Sequence, residues 1–378
     1  CTGGIMTEID DLKSVFLSET PLIDTRSPSE FAKGSLPTAV NLPLMTDQER
    51  EAVGIRYKAH GQEAAIQLGH ELVTASTKTQ RVAEWKAFSA EHPEGALFCF
   101  RGGLRSEITQ RWLCEVGVNY PRIEGGYKAM RRWLSDHSDA YIATVPLLLL
   151  GGQTGAAKTR VLNEGNAGLP IPGSIDLEGL ANHRGSAFGK RVTAQPSQIS
   201  FELAFGIEVL KRSHEGHSTL VLEDEGRLIG RCALPLCLQT ARKEADWIQL
   251  DASLDERVQH SYENYILSNL KELRKTRGDG GFRDFADGLL ESLQRIQKRL
   301  GGSRYKTLKD ALDEALRAHQ QGNPELHKLW IKELLTAYYD PMYQYQMTKR
   351  IRPPLFKGEA KAVIAYLLER MNPVHRTQ

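Results

Sequence analysis

The sequence has few of the features that mark a secreted or membrane protein. Its five cysteines form no Cys-x-x-Cys pair, and their odd number argues against a disulfide framework. The longest strongly apolar run, VPLLLL before Gly151, is far too short to cross a bilayer, and the first residues show no signal-peptide pattern. We therefore expect a protein of the reducing cytoplasm that makes no membrane contact. The opening CTGGI is assigned no function.

The sequence also lacks a large excess of either charge. Its formal net charge is only +2, so any contact with a nucleic acid must come from local basic patches. It shows no internal repeat and no low-complexity tract, which excludes solenoid and fibrous architectures. With 40% hydrophobic and 25% charged residues, the 378-residue chain has the composition of an ordinary globular protein. Its length predicts about two to three domains.

Two sets of short β-rich runs predict two α/β domains. Within residues 6–137, the runs PLIDTR, AVNLPL, GALFCF and YPRIEGG alternate with helix-like segments, which is typical of a parallel sheet. The polar segment 135–141, SDHSDAY, is interpreted as a linker. Residues 144–378 contain the strand candidates VPLLLL, STLVLEDEG and ADWIQLD, followed by a mostly helical region at about 255–345. The prediction is a parallel-sheet domain followed by an α/β domain with a basic helical insertion or extension.

The segment CFRGGLRS places one thiol, Cys99, at a strand-to-helix turn with glycines and arginines. A glycine-rich turn directs backbone N–H groups inward, and a helix N-terminus and guanidinium groups favour an anion. Such a site should stabilise a thiolate and bind an oxyanion above it. The alternative is that Cys99 is a small buried hydrophobe. The predicted catalytic residue is Cys99, and the predicted anion-binding residues are Phe100, Arg101, Gly102, Gly103, Leu104 and Arg105.

A second glycine-rich loop fits the P-loop pattern except for its last glycine, which is replaced by Ala157. A strand precedes it and a helix follows it, as required for backbone N–H groups to hold phosphates. Lys158 is expected to reach the outer phosphate, and Thr159 to ligate Mg²⁺. The strand in LVLEDEG supplies Glu223 or Asp224 for the water shell of the metal. The predicted diphosphate-binding residues are Gly152, Gln153, Thr154, Gly155, Ala156, Ala157, Lys158 and Thr159.

Two further segments are candidates for substrate contacts. The segment IDLEGLANHRGSAFG lies where P-loop proteins often have a substrate-reading loop, although a solvated loop that caps itself explains the same residues. Its candidate residues are Asp176, His183, Arg184 and Ser186. The basic segment RIQKRLGGSRYKTLK and the tyrosine-rich YYDPMYQYQMTKRIR suggest phosphate neutralisation and base stacking on RNA, or else a solvated helix face. The candidate tRNA-binding residues are Arg295, Lys298, Arg299, Arg304, Lys306, Lys309, Lys349 and Arg350.

The flanking sequence separates two interpretations of the Cys99 loop. The spacing from Cys99 to Arg105 is shared by rhodanese domains and cysteine phosphatases, but a phosphatase usually has His where this chain has Phe98. The segment IDTRSPSEFAKGSLPTAVNLP closely resembles the rhodanese signature, and IEGGYKAMRRW resembles its closing segment. Asp24, Arg26 and Glu30 are therefore interpreted as salt-bridging and capping residues rather than catalytic ones.

Taken in order, CFRGGLRS, GGQTGAAKT, DLEGLANHRGSAFG, LEDEGRLIG and YYDPMYQYQ resemble the tRNA 2-selenouridine synthase family over nearly the whole chain. The resemblance implies a transferase that converts wobble 2-thiouridine to 2-selenouridine in tRNA through an S-geranylated intermediate. Its implied substrates are geranyl diphosphate and selenophosphate, with no tightly bound cofactor, no structural metal site, and Mg²⁺ as a candidate companion of the diphosphate. Selenophosphate would bind at the Cys99 loop, and Cys99 would carry the selenium. The implied partners are tRNA and an enzyme that supplies selenophosphate. Family members have Gly where this chain has Ala157, which affects the expected tightness of diphosphate binding.

Two alternatives remain open at the level of sequence. A rhodanese-fused P-loop kinase or NTPase involved in sulfur transfer would turn over nucleotide. A tRNA-binding sensor with two degenerate sites would bind tRNA and form no modified product.

Overall fold

The computed structural model describes residues 7–371, which divide into two compact units. The first unit runs to Ala140 and includes Ser197–Lys211, and the second holds Tyr141–Pro196 and the chain from Arg212 onward. Chain order alone places residues 197–211 in the predicted domain 144–378. Their apolar side chains Leu203, Ile207 and Leu210 instead pack in the core of the first unit.

The mixed α/β class with parallel sheets, predicted from the sequence, is confirmed. The first sheet has the order β1-β5-β4-β2-β3 and the second the order β12-β11-β6-β8-β7, and every pairing within both is parallel; β9 and β10 form an antiparallel ribbon. The strands are β1 Glu8–Ile9, β2 Leu22–Asp24, β3 Ala39–Asn41, β4 Ala96–Phe98, β5 Arg122–Ile123, β6 Leu147–Gly152, β7 Ser174–Ile175, β8 Leu220–Glu223, β9 Leu228–Ile229, β10 Cys232–Ala233, β11 Asp246–Leu250 and β12 Phe356–Gly358. That the first unit is a rhodanese domain stays a prediction.

The helices of the described chain account for most of its remaining regular structure. They are α1 Leu12–Leu17, α2 Pro28–Lys33, α3 Asp47–Leu72, α4 Ala75–Glu91, α5 Leu104–Glu115, α6 Gly126–Ile142, α7 Lys158–Glu164, α8 Leu177–Leu180, α9 Gln198–His214, α10 Leu236–Ala241, α11 Leu254–Tyr262, α12 Asn269–Arg277, α13 Gly281–Arg295, α14 Gln297–Leu300, α15 Gly302–Gln320, α16 His327–Leu334, α17 Asp340–Thr348 and α18 Ala360–Met371. Within residues 7–371, none of these helices is both long and apolar enough to cross a membrane.

Two sequence expectations need correction. The polar segment 135–141 is not a linker but the last part of α6. Met130, Leu134 and Ser138 recur every fourth residue and are buried, so one face of the helix packs inward despite its polar composition. The argument against disulfides is also wrong at one position, because Cys114 is disulfide-bonded whereas Cys99, Cys232 and Cys237 are free. An odd count excludes complete pairing, but it leaves room for a single pair.

In the second unit a helical layer is built around its own apolar core. The helices from α11 to α17 enclose buried aromatic and aliphatic side chains that include Tyr265, Trp330 and Tyr339. Two π-helical turns interrupt this layer, Glu263–Ser268 and Leu335–Tyr339. Such turns often occur where a helix supplies side chains to a functional site. Both of these contribute residues to the P-loop cavity described below.

Candidate functional sites

The Cys99 loop connects the end of β4 to the start of α5, as the sequence predicted. Its backbone is held closely against the start of α6, because Tyr127 N–H donates to the Cys99 carbonyl at 2.9 Å. Gly102 has a φ of +69°, and a Cβ at this position would lie 2.8 Å from the backbone nitrogen of Gly125. Only glycine fits this close approach. Gly103 occupies the N-cap position of α5, so the first N–H groups of that helix adjoin the loop.

The Cys99 side chain is almost fully buried, with a relative exposure of 3%. Its thiol donates to the Gly103 carbonyl at 3.7 Å and lies 3.3 Å from the Ser106 hydroxyl oxygen. Because the Ser106 hydroxyl already donates to the Gly103 carbonyl at 2.9 Å, its oxygen is able to accept from the thiol. Ser106, which the sequence-derived residue set omits, therefore belongs to this site. In the sequence, the position of Ser106 in the CFRGGLRS segment was the one indication that it could contact the Cys99 thiol.

The charged residues of this loop have different surroundings. Arg105 forms a two-pronged pair with Glu30, at 2.6 Å and 3.2 Å, whereas Arg101 is exposed and lies 5.9 Å from the Phe100 ring. Burial alone would raise the pKa of Glu30, but its hydrogen bond and charge interaction with Arg105 hold that pKa below its usual value. Glu30 also closes the capping box of α2 with Ser27. The structure thus connects the predicted capping residue directly to the Cys99 loop.

The P-loop follows β6 and leads into α7 at Lys158. Gly155 has a φ of +84°, and a Cβ there would lie 2.8 Å from both the Arg257 carbonyl and the Ser261 hydroxyl. Ala157, where P-loops have glycine, adopts φ 65° and ψ 34°. This left-handed conformation is unfavourable for a residue with a Cβ. The departure noted in the sequence therefore carries backbone strain. The Lys158 ammonium donates to the Gly152 carbonyl at 3.4 Å.

Carboxylates surround the start of α7. The Thr159 hydroxyl lies within hydrogen-bonding distance of Glu223 and, at 3.0 Å, of Glu178. Burial and nearby acids, Glu225 first among them, raise the pKa of Glu178 to about 8. Burial and then the Glu178 charge raise the pKa of Glu223 well above its ordinary value. Burial would lower the pKa of Lys158, but the charges of Glu225, Glu178 and Glu223 outweigh it and raise that pKa.

The two predicted acids of the β8 segment therefore have different partners. Glu223 contacts Thr159, whereas Asp224 pairs with Arg242 at 3.0 Å and with Arg350. Arg350 also stacks over the Trp247 ring at 4.2 Å. Glu178 and Glu225 were not among the predicted site residues. The density of polar residues around Glu178 was the available signal, but chain spacing alone could not show that it faces Thr159.

The four predicted substrate-loop residues have distinct roles in the local structure. Asp176 caps α8 through Gly179 N–H at 2.7 Å and accepts from Asn163 at 2.7 Å. The Arg184 guanidinium donates to Asn269 and Ser268 of the helical layer, and Ser186 accepts from Phe188 N–H at 3.2 Å. His183 is buried, and burial followed by neighbouring arginines lowers its pKa to about 4. Of the four, Arg184 and Ser186 line the P-loop cavity.

A cavity of about 630 Å³ opens over the P-loop. The helical layer contacts the P-loop through Arg257, whose guanidinium donates to the Thr154 carbonyl at 2.9 Å and pairs with Asp340. The Tyr339 hydroxyl accepts from Ala187 N–H at 3.0 Å. The segment YYDPMYQYQ therefore connects the helical layer to both loops of the cavity, through Asp340 and Tyr339.

The candidate RNA-binding residues are distributed over several helices rather than one continuous face. Arg295 ends α13, Lys298 and Arg299 lie in α14, and Arg304, Lys306 and Lys309 lie in α15. Arg295 donates to the Ala187 carbonyl, and Lys309 pairs with Asp313 at 2.7 Å. Lys349 lies 4.3 Å from the Tyr345 ring centroid. Side chains of Arg295, Lys298, Arg299, Arg304, Lys306 and Lys349 remain exposed.

Comparisons with known proteins match nearly the whole chain to one family. Residues 145–373 match the family model described as the tRNA 2-selenouridine synthase AAA domain. The chain is 51% identical over 361 residues to a tRNA 2-selenouridine synthase of Hahella chejuensis, covering 95% of this chain and 94% of the relative. Proteins of the same name from Pseudomonas fluorescens and Marinobacter nauticus are each 47% identical, over 95% and 96% of this chain and 98% of each relative.

Proposed function

Because this chain belongs to the tRNA 2-selenouridine synthase family, we propose that it converts wobble 2-thiouridine in tRNA to 2-selenouridine through an S-geranylated intermediate. Geranyl diphosphate and selenophosphate are the small substrates of this proposal, tRNA is the macromolecular one, and an enzyme that makes selenophosphate is the proposed supplier. A tRNA substrate also makes the cytoplasm the proposed location. The observation that supports the proposal is the presence of two strand–loop–helix units with the geometry suited to anions, one with a thiol and one with a lysine.

We assign geranylation to the P-loop. The sulfur of 2-thiouridine attacks the first carbon of the geranyl group, the carbon–oxygen bond breaks, and diphosphate leaves. Lys158 and the backbone N–H groups of the loop stabilise the negative charge that develops on the leaving oxygen. The step requires no nucleotide hydrolysis, so the proposed role of the P-loop is to bind the diphosphate leaving group.

The P-loop residues fit a Mg²⁺ ion that accompanies the diphosphate. Thr159 and Glu223 are hard oxygen donors, and Mg²⁺ usually takes one or two such protein ligands together with phosphate oxygens and water. Burial and neighbouring acids raise the pKa values of Glu178 and Glu223, and a cation bound beside them would favour their ionised forms. When bound, the ion would neutralise charge on the diphosphate.

We assign selenation to the Cys99 loop. Alkylation turns the thiocarbonyl sulfur into a group that can depart as a thiolate, which explains why geranylation comes first. We propose that the Cys99 thiolate attacks the phosphorus of selenophosphate, so that the phosphorus–selenium bond breaks and selenide is released at the loop. The selenide attacks C2 of the geranylated uridine and geranyl thiolate leaves, while water hydrolyses the phosphorylated cysteine to phosphate and the free thiol. The N-terminus of α5 and Arg101 favour the bound oxyanion.

The test is mass spectrometry of nucleosides from tRNA that carries 2-thiouridine. The protein is incubated with geranyl diphosphate alone, with selenophosphate alone and with both. We expect S-geranyl-2-thiouridine in the first reaction and 2-selenouridine only in the third. Nucleotide turnover without either product would favour the P-loop kinase or NTPase instead, and tRNA binding without product would favour a sensor.

A further inference from the structure

A second cavity, of about 590 Å³, adjoins the P-loop cavity in the same unit. Five residues line both spaces: Gly185, Ser186, Leu228, Tyr339 and Met342. The volume lies within the range of about 300 to 1,000 Å³ that is usual for small-ligand pockets. A ligand held at the P-loop can therefore extend past these shared residues into the second cavity.

The second cavity differs chemically from the first. Its apolar wall includes Ile296, Tyr338 and Ala187, and the shared Leu228 remains 55% exposed although it is a large hydrophobe. A half-exposed leucine beside a tyrosine and a methionine, at the mouth of a cavity, marks apolar surface that a ligand can cover.

Two polar side chains of this wall, Gln195 and Arg295, are hydrogen-bonded within the protein. The Gln195 side-chain amide donates to the Ala181 and Ile229 carbonyls, at 2.9 Å and 3.0 Å, and its oxygen accepts from Arg231 N–H at 2.9 Å. The Arg295 guanidinium donates to the Ala187 carbonyl at 3.1 Å and to Ser292. His183, with its pKa lowered to about 4 by burial, is neutral at pH 7. The unused polar groups among the described lining residues include the buried His183 Nδ1 and the exposed Lys190 and Arg299, while Gln195 and Arg295 leave the apolar side chains between them free for a ligand.

We propose that this second cavity binds the hydrocarbon chain of a prenyl diphosphate whose diphosphate is held by the P-loop, with Leu228 and Met342 at the junction. This inference rests on the proposed function, because it requires a diphosphate at the P-loop. The inference adds to that function a site whose size would determine which prenyl chain length binds best. Each methylene that the cavity buries should tighten binding about fourfold.

The experiment measures the dissociation constants of inorganic diphosphate, dimethylallyl diphosphate and geranyl diphosphate with the full chain and Mg²⁺, in the absence of tRNA. Two variants probe the cavity. Leu228→Gln replaces an exposed apolar side chain with a polar one of similar size, and Ala194→Phe fills the cavity from an exposed position that does not line the P-loop cavity. Leu236→Gln is the matched control, because Leu236 is 80% exposed and lines neither space.

In the wild type and in the control, we expect geranyl diphosphate to bind at least about tenfold more tightly than the dimethylallyl compound, which is one isoprene unit shorter. Both cavity variants should lose most of this preference while retaining the affinity for inorganic diphosphate. An unchanged preference in both variants, with diphosphate binding intact, would overturn the chain site and leave the P-loop assignment standing. If the wild-type protein bound none of the three compounds, the P-loop assignment and the chain site would both fail.

Discussion

The Cys99 loop and the P-loop are the same local device, a strand that turns through glycines into a helix N-terminus, but their electrostatic surroundings differ. At the Cys99 loop, Arg105 pairs with Glu30, whereas Arg101 is exposed. At the P-loop, the Lys158 ammonium interacts with the charges of Glu178, Glu223 and Glu225. A helix N-terminus attracts anions in both places. We therefore expect the first site to accept an oxyanion directly and the second to take its anion together with a cation.

The largest expected effect is at Cys99. We expect Cys99→Ser to reduce 2-selenouridine formation by about a thousandfold or more, because a serine hydroxyl is a far weaker nucleophile toward selenophosphate than a cysteine thiolate. S-Geranyl-2-thiouridine should accumulate, since the P-loop is untouched. Nucleoside mass spectrometry measures both products, and buried Cys232, changed to Ser, is the control for loss of an unrelated thiol. Wild-type selenation by Cys99→Ser would show that the two loops do not divide the chemistry in this way.

The next effect is at Lys158. Loss of a charge-assisted phosphate contact costs about 1.5 to 3 kcal/mol, so Lys158→Ala should slow geranylation by at least about tenfold. Supplying pre-geranylated tRNA should restore part of the selenation, because that step belongs to the Cys99 loop. The assay contains geranyl diphosphate and no nucleotide. An absolute requirement for ATP, or normal geranylation by the variant, would favour the kinase interpretation.

A smaller effect is expected at Arg105. Arg105 holds both Glu30 oxygens with its planar fork, which we propose also binds the oxyanion. Lysine keeps the charge but not this fork, so Arg105→Lys should lower selenation by about five- to tenfold with geranylation intact. The matched variant Glu30→Gln removes the competing acid and should tighten binding of inorganic phosphate at this loop. Unchanged selenation in Arg105→Lys would rule out a role for the fork.

The acidic surroundings of the P-loop predict a pH dependence of stability. An unfolded glutamate loses its proton near pH 4.5, whereas folded Glu178 retains it to about pH 8. Between these values the folded state binds more protons, so this group destabilises the protein progressively as the pH rises. Glu178→Gln carries no such proton, and its stability relative to wild type should increase by about 1 kcal/mol or more from pH 5 to pH 8. Urea unfolding of ligand-free protein at each pH measures this difference, and a constant difference would contradict it.

The smallest effect is expected at Ala157. Its left-handed backbone costs about 1 kcal/mol for a residue with a Cβ, and part of the gain from glycine is offset by the greater freedom of the unfolded chain. Ala157→Gly should therefore raise the free energy of unfolding by about 0.5 to 1 kcal/mol and tighten inorganic diphosphate binding. Ala156→Gly, at a neighbouring position outside the left-handed region, should instead destabilise the protein. Calorimetric unfolding of both variants decides the comparison.

Local features of the fold were predictable because they depend on neighbouring residues. The runs GALFCF, STLVLEDEG and ADWIQLD each contain a strand of the structure, and VPLLLL contains the first four residues of β6. Short strands such as β7 and β12 were not predicted, because they are defined by pairing with β8 and β11 rather than by their own composition. The prediction of a linker at the polar end of α6 was wrong for a similar reason. Packing against other elements, rather than local composition, decides which face of this helix is buried.

The sequence by itself determined the two loops, the helix that follows each, and the position that departs from glycine, because turn geometry and anion binding depend on contiguous residues. Only the tertiary structure decided which distant side chains serve them. Glu30 reaches Arg105 across 75 positions, Glu223 reaches Thr159 across 64, and Arg257 reaches Asp340 across 83. Such pairs depend on how strands and helices pack, and chain spacing carries no record of that packing.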